Sequence, residues 1–202
     1  MSRHIFILIL FTSFLVIADE NARNLEQGIV AYKNKNYMEA EEILNPISNN
    51  GDIIAQYYLG NVYRAYDNAK MNLEKAYKLY SESSKQGHVD AMFRLGLMYA
   101  NGEFVTQNYQ KRNYWYQKAI DKGHAYAMYN MGYSHLKGHG VIQDYSTAKT
   151  LFLTAANKNH SLAQERLGTF YREGLGSVLI DKKFDTSLKV RAPKRVKPNN
   201  YT

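Results

Sequence analysis

Small, aliphatic and aromatic positions recur along this chain in one order, Ala-x-x-x-Leu-Gly-x-x-Tyr. The copies are Ala55/Leu59/Gly60/Tyr63, Ala91/Leu95/Gly96/Tyr99, Ala127/Met131/Gly132/His135 and Ala163/Leu167/Gly168/Tyr171, spaced 36 residues apart. Within a copy they lie at i, i+4, i+5 and i+8, one stripe of an α-helix, here helix A. A glycine inside a helix costs roughly 1 kcal/mol, so four recurrences imply close approach of a partner helix in return. Gly102, Gly138 with Gly140, and Gly174 with Gly176 then stop helix A. A second stripe in the same frame predicts helix B: Leu73/Tyr109/Tyr145, Leu79/Trp115/Leu151, Tyr80/Tyr116/Phe152 and Ser83/Ala119/Ala155. Large side chains alternate with small ones, as interdigitating helices require. Gly87-His88, Gly123-His124 and Asn159-His160 close the units, Asn159 standing for glycine because asparagine tolerates a left-handed backbone.

A period of this size predicts an all-α fold, a right-handed α-solenoid of stacked helical hairpins in which neighbours complete one another's core. One further hairpin, through Gly28, Tyr32, Tyr37, Ala40, Leu44 and Pro46, comes first with a turn shorter by about four residues. At the other end Phe184 to Leu188 would start a helix B that Pro193 and Pro198 cannot continue. The expected divisions are a leader over 1–18, a hairpin over 19–54, repeats over 55–90, 91–126 and 127–162, a partial repeat over 163–180 and a tail over 181–202.

The two ends differ in composition from the middle. Arg3 and His4 precede an apolar run from Ile5 to Ala18, about 14 residues, short of the ~20 that span a bilayer. With small residues at Val16-x-Ala18, this predicts a signal peptide cleaved after Ala18 and a periplasmic or secreted mature chain. The absence of cysteine excludes disulfides and thiolate chemistry. The net charge is +8, of which +5 belongs to residues 181–202 and +1 to Arg3 in the leader, leaving the repeats at +2 with no general nucleic-acid footprint. The tail, with Lys194, Arg195 and Lys197 between its prolines, suits an anionic surface or glycan of the cell envelope.

The Ala-x-x-x-Leu-Gly-x-x-Tyr stretch, Gly-x-Gly-Val-x-Gln-Asp-Tyr (Gly138 to Tyr145), Tyr-Trp-Tyr-Gln-Lys-Ala (Tyr114 to Ala119) and Gly-His-Ala-x-Ala (Gly123 to Ala127) together resemble Sel1-like repeats, relatives of tetratricopeptide repeats. The resemblance covers roughly residues 22–180. It implies an adaptor or scaffold in envelope, secretion or signalling assemblies, and a tetratricopeptide-like first hairpin. The unit from Ala55 departs from the pattern, with Tyr66 in the place of the turn glycine and Asp67-Asn68-Ala69 in place of Gly-Val.

Three chemistries compete for this surface. His88, His124 and His160 recur in equivalent loops, too far apart for ligands that must each approach one zinc ion to ~2 Å, since successive helices pack ~8–10 Å apart. His135 and His139 have an i, i+4 spacing, but His135 takes the core tyrosine position and Gly138 intervenes, so no metal or cofactor is expected. Ser146 and Lys149 reproduce Ser-x-x-Lys without its companion motifs, and a helix-start serine is the expected reading. The better candidate is the inner, concave face that helix A lines in related repeats. It presents Tyr57, Phe93, Tyr129 and Glu165 as one ladder and Asn61, Leu97, Tyr133 and Thr169 as another. Three adjacent aromatics would cradle an extended peptide or partner helix, with Arg64 and Arg172 reaching its carboxylates. The expected function is therefore a non-catalytic protein–protein interaction adaptor of the bacterial envelope. The alternatives are an envelope polysaccharide binder using the same rings, and a weak serine hydrolase of β-lactamase type.

Overall fold

The computed structural model describes residues 20–65, 72–173 and 175. The expected leader, the Tyr66–Ala69 departure and the basic tail lie outside them. The described residues form helices without strands: α1 (20–33), α2 (Tyr37–Asn49), α3 (Ile53–Ala65), α4 (Leu73–Lys85), α5 (Val89–Asn101), α6 (Tyr109–Ile120), α7 (Ala125–Lys137), α8 (Tyr145–Asn157) and α9 (Ser161–Glu173). Each helix packs on its neighbours in sequence, the pattern of a solenoid. No described helix is long and apolar enough to cross a membrane.

Odd-numbered helices carry the helix A stripe and even-numbered ones the helix B stripe. The frame alanines, Leu59, Leu95, Met131, Leu167, and the facing Tyr80, Tyr116, Phe152, Ser83, Ala119 and Ala155 are all buried. The mid-helix glycines admit the B-helix rings: a Cβ on Gly60, Gly96 or Gly132 would lie 2.7, 2.4 or 2.8 Å from Tyr80, Tyr116 or Phe152 respectively. Burying such a ring is worth roughly 1.5–3 kcal/mol, more than the glycine costs its helix. Half-buried Trp115, Ile120 and Leu151 each pack against two of the three buried clusters and make the core continuous. At the last stripe position Tyr63 and Tyr99 are buried and His135 is half-buried, whereas Tyr171 is 55 % exposed.

Side chains in the same frame close the helix ends. Asn72, Asn108 and Asp144 accept the first free N–H groups of α4, α6 and α8. Asp52, His88, His124 and His160 do so for α3, α5, α7 and α9, the histidines through Nδ1 to Ala91, Ala127 and Ala163 at 3.3, 3.1 and 3.2 Å. Asn159 has φ +62°, the left-handed conformation its sequence position predicts. Whatever course residues 66–71 take, the frame is recovered after them. Asn72 N–H donates to Tyr63 C=O at 2.9 Å, as Asn108 does to Tyr99 and Asp144 to His135 at 2.9 and 3.0 Å.

Candidate functional site

The face of the A helices is built one unit at a time, and each ladder ring is already engaged. Tyr57 stacks on His88 with centroids 4.5 Å apart, Phe93 lies 4.6 Å from His124, and Tyr129 stacks on His160 at 5.0 Å. On the other side the same rings meet Tyr80, Tyr116 and Phe152 at 6.2, 5.6 and 5.6 Å. All three are therefore half-buried, held between a B-helix ring and the histidine that caps the next A helix. The recurrent histidines are thus caps and stacking partners, spread across three units. His135 keeps a buried Nδ1 without a hydrogen-bond partner, while His139 stacks on Tyr109 at 5.5 Å.

Two residues of the expected binding set are consumed by the fold. Asn61 is buried, and its Oδ1 accepts from the buried Tyr80 hydroxyl at 2.8 Å. Arg64 makes a two-pronged pair with Glu103 of the next turn, Nε to Oε2 at 2.7 Å and Nη2 to Oε1 at 2.9 Å. This hydrogen bonding raises the arginine pKa and lowers that of Glu103. Leu97 packs half-buried against the cluster around Tyr116. Tyr133 is exposed, with the Arg166 guanidinium 5.9 Å from its centroid, and Arg172 is exposed and donates to Thr169 at 3.1 Å. Lys194, Arg195 and Lys197 lie outside the described residues. Ser146 is exposed at the start of α8, and the Lys149 ammonium lies over the Tyr171 ring at 4.9 Å.

The open positions are different ones, at the second and sixth residues of each A helix. The second position carries Ile54, Asp90, Tyr126 and Leu162, all exposed; the sixth carries Tyr58, Arg94, Asn130 and Arg166, all half-buried. Arg94 makes no hydrogen bond to any described residue, and its charge acts on Tyr32, Tyr80, Asp90 and Glu103. Burial raises the Tyr32 and Tyr58 pKa values, so both stay neutral hydroxyls beside it. Asp90 is held below the usual carboxylate range, first by its 3.0 Å contact to His124 Nε2. The recurring Gly-His and Asn-His signals mark which side of each A helix the next unit's cap would cover, and so which ladder stays open.

The match to known proteins is repeat by repeat. The Sel1 repeat model matches residues 53–88, 89–124, 125–160 and 161–183. A protective antigen of uropathogenic Escherichia coli strains with an SLR fold is 24% identical, with a TM-score of 0.71 over 77% of this chain and 34% of its own. A Sel1 repeat protein from Oxalobacter formigenes is 28% identical, with a TM-score of 0.70 over 75% of this chain and 62% of its own. Cysteine-rich protein B of Helicobacter pylori is 20% identical, with a TM-score of 0.50 over 64% of this chain and 92% of its own. The chain thus spans about a third of the first and under two thirds of the second. No curated protein sequence matches it. Sel1 repeat proteins generally mediate protein–protein interaction and are typically non-catalytic scaffolds. With its glycine-notched hairpins, recurrent caps and four matched repeats, the chain belongs to the Sel1 repeat family.

Proposed function

We propose that this chain is an adaptor whose A helices together form a concave docking surface for a segment of a partner protein. The observation that carries this reading is the contrast between frame and face. Ala, Leu or Met, and Gly recur at the buried positions, whereas the open positions read Ile54/Asp90/Tyr126/Leu162 and Tyr58/Arg94/Asn130/Arg166. A surface that changes from unit to unit above an unchanging core specifies a ligand along its length. The partner segment is anionic in part, since Arg94 offers donors free of described hydrogen-bond partners and Arg166 meets no carboxylate among the described residues. Neutral tyrosines beside them supply apolar area with a polar tip, suited to a wet interface. The leader pattern from Arg3 to Ala18 supports a site of action outside the cytoplasm.

The test is crosslinked capture from an envelope extract, comparing the parent chain with an Arg94→Glu/Tyr126→Ser/Tyr133→Ser variant and with a variant altered only at exposed positions of the B helices, Glu74→Lys/Lys118→Glu. The reading requires one protein retained by the parent and the B-helix variant and lost from the first variant, with circular dichroism unchanged. Retention by all three would defeat it.

A further inference from the structure

Each histidine that caps an A helix follows, by 34 residues, the second residue of the previous A helix: Ile54 before His88, Asp90 before His124 and Tyr126 before His160. Asp90 supplies its histidine with an acceptor. Its Oδ1 lies 3.0 Å from His124 Nε2, completing a ring whose Nδ1 already accepts from Ala127. His160 has the first half of this arrangement without the second. Its Nδ1 accepts the Ala163 N–H at 3.2 Å, so the neutral ring carries its proton on Nε2. That nitrogen is buried, in a residue only 5 % exposed, and meets no acceptor among the described residues. Where the frame places Asp90 on His124, the Tyr126 ring stands against the His160 imidazole, centroids 4.4 Å apart and planes at 79°, while Tyr129 stacks on it at 5.0 Å. Tyr126 is itself 60 % exposed, so its ring can turn outward without leaving a core.

We propose that His160 Nε2, beside Tyr126, is a socket for a carboxylate side chain of the partner segment, which takes on His160 the place that Asp90 takes on His124. The inference rests on the docking reading above and adds to it which group of the partner enters where. A buried donor left unpaired is a standing cost, and a ligand acceptor recovers it on binding. Three features select a carboxylate. The Asp90–His124 pair is a built precedent at the same frame position. The first turn of α7, the counterpart of the turn that holds Asp90 in α5, contains no acid, so the positive end of that helix favours an incoming anion. A charged acceptor also makes a shorter and stronger hydrogen bond than a neutral one. Burial lowers the His160 pKa, so the ring meets its ligand neutral, as a donor through Nε2 and still a cap through Nδ1. Turned outward, the Tyr126 ring lies along the bound segment and remains part of the docking face.

The probe is propionate, which carries the carboxylate of a glutamate side chain, with propionamide as its neutral counterpart. Both are titrated into the full chain carrying isotope-labelled histidine, and the imidazole nitrogen resonances are followed. The expected result is a shift at His160 Nε2 that half-saturates with propionate at a concentration about tenfold below that for propionamide. His124, whose place is taken, stays silent. Two variants fix the meaning of the response. Asp90→Ala empties the His124 position, and His124 then answers propionate as His160 does. Tyr126→Asp fills the His160 position from within the chain and abolishes its response, whereas Tyr126→Ala retains it. Silence at His160 while His124 answers in Asp90→Ala would overturn the proposal, as would an equal response to propionamide or a parent-like response in Tyr126→Asp. Capture from the envelope extract separates this proposal from the adaptor reading. His160→Asn keeps a capping side chain without the Nε2 donor, and is expected to weaken capture about tenfold. Full capture by His160→Asn, alongside loss by the Arg94→Glu/Tyr126→Ser/Tyr133→Ser variant, would remove the socket and leave the adaptor standing.

Discussion

The joint between the α3–α4 and α5–α6 hairpins is stitched near its surface, whereas the joint between α5–α6 and α7–α8 is pinned by a buried guanidinium. At the first, Arg64 pairs with Glu103 while both side chains stay partly open, 33 % and 19 % exposed, and the hydroxyls of Tyr77 and Tyr99 meet at 3.0 Å. At the second, Arg112 is 7 % exposed. Its Nη2 donates to Ser134 Oγ and to the His139 carbonyl, both at 2.7 Å, and its Nε donates to Asn113 Oδ1 at 3.0 Å. The guanidinium also lies over Tyr109 at 4.5 Å, and no carboxylate joins it in the described hydrogen bonds. Burial lowers its pKa, but an arginine remains charged. Arg112 stands where the frame otherwise places Ala76 and Ala148, both fully buried. One frame position thus converts a joint from small-residue packing to a polar pin reaching the next unit's turn. A repeat array can therefore fix one joint more firmly than another at constant fold.

The largest expected effect comes from breaking the pin. Arg112→Ala restores the frame residue yet strips Asn113 Oδ1 of its donor, leaves the His139 carbonyl with Asn113 Nδ2 alone at 3.2 Å, and opens a cavity, at a cost of about 2–4 kcal/mol in urea unfolding. Arg112→Lys should recover little, since a single ammonium cannot make the forked contacts. A cost under about 0.5 kcal/mol for Arg112→Ala would mean that the second joint is no firmer than the first.

Next comes the packing that both joints share. Gly96→Ala places a Cβ 2.4 Å from the Tyr116 ring. Overpacking of about 1–3 kcal/mol should exceed the ~1 kcal/mol regained in helix propensity. A stabilised Gly96→Ala variant would show that the ring yields freely.

At the first joint, Glu103→Gln should cost only about 0.5–1 kcal/mol, because solvent screens a pair this open. The difference from the parent should shrink in 1 M salt, where the screening length is about 3 Å.

The smallest effect concerns the caps. Burial holds the His88 and His160 pKa values below 6.5. The unfolded chain then binds the extra protons, so their contribution to stability is intact above pH 6.5 and is lost as pH falls through that value toward the lower folded pKa. The physical cause is plain: a protonated Nδ1 cannot accept the Ala91 or Ala163 N–H, and its charge faces a positive helix end. His160→Asn keeps a capping side chain that does not titrate, and should flatten part of the stability–pH slope between pH 7.5 and 5.5. Asp90, Glu103 and Asp144, all shifted downward, titrate below this window. An unchanged slope would remove the histidine caps from the account.

The fold was legible because its signals are local and repeated. The 36-residue interval, the glycine–ring correspondence and the left-handed Asn159 each follow from residue type and spacing. The face was only half legible. Helical periodicity puts Tyr57, Phe93 and Tyr129 on one side of helix A, but whether a ring stays open depends on what the next unit lays upon it. Here that is His88, His124 or His160. Asn61 and Arg64 are lost to the face for the same reason, through partners at Tyr80 and Glu103 that sequence order does not bring near. Arg112 carried a readable signal, a charged residue aligned with two buried alanines, whose meaning depended on Ser134 and His139 lying within reach.

The claim on which the rest depends is that open A-helix positions bind while frame positions fold, and it is tested most directly by one pair of measurements on Arg94→Gln: partner capture and the thermal midpoint. The account predicts loss of capture with a midpoint within about 2 °C of the parent, since Arg94 holds no described hydrogen bond to lose. Capture at the parent's level would contradict it.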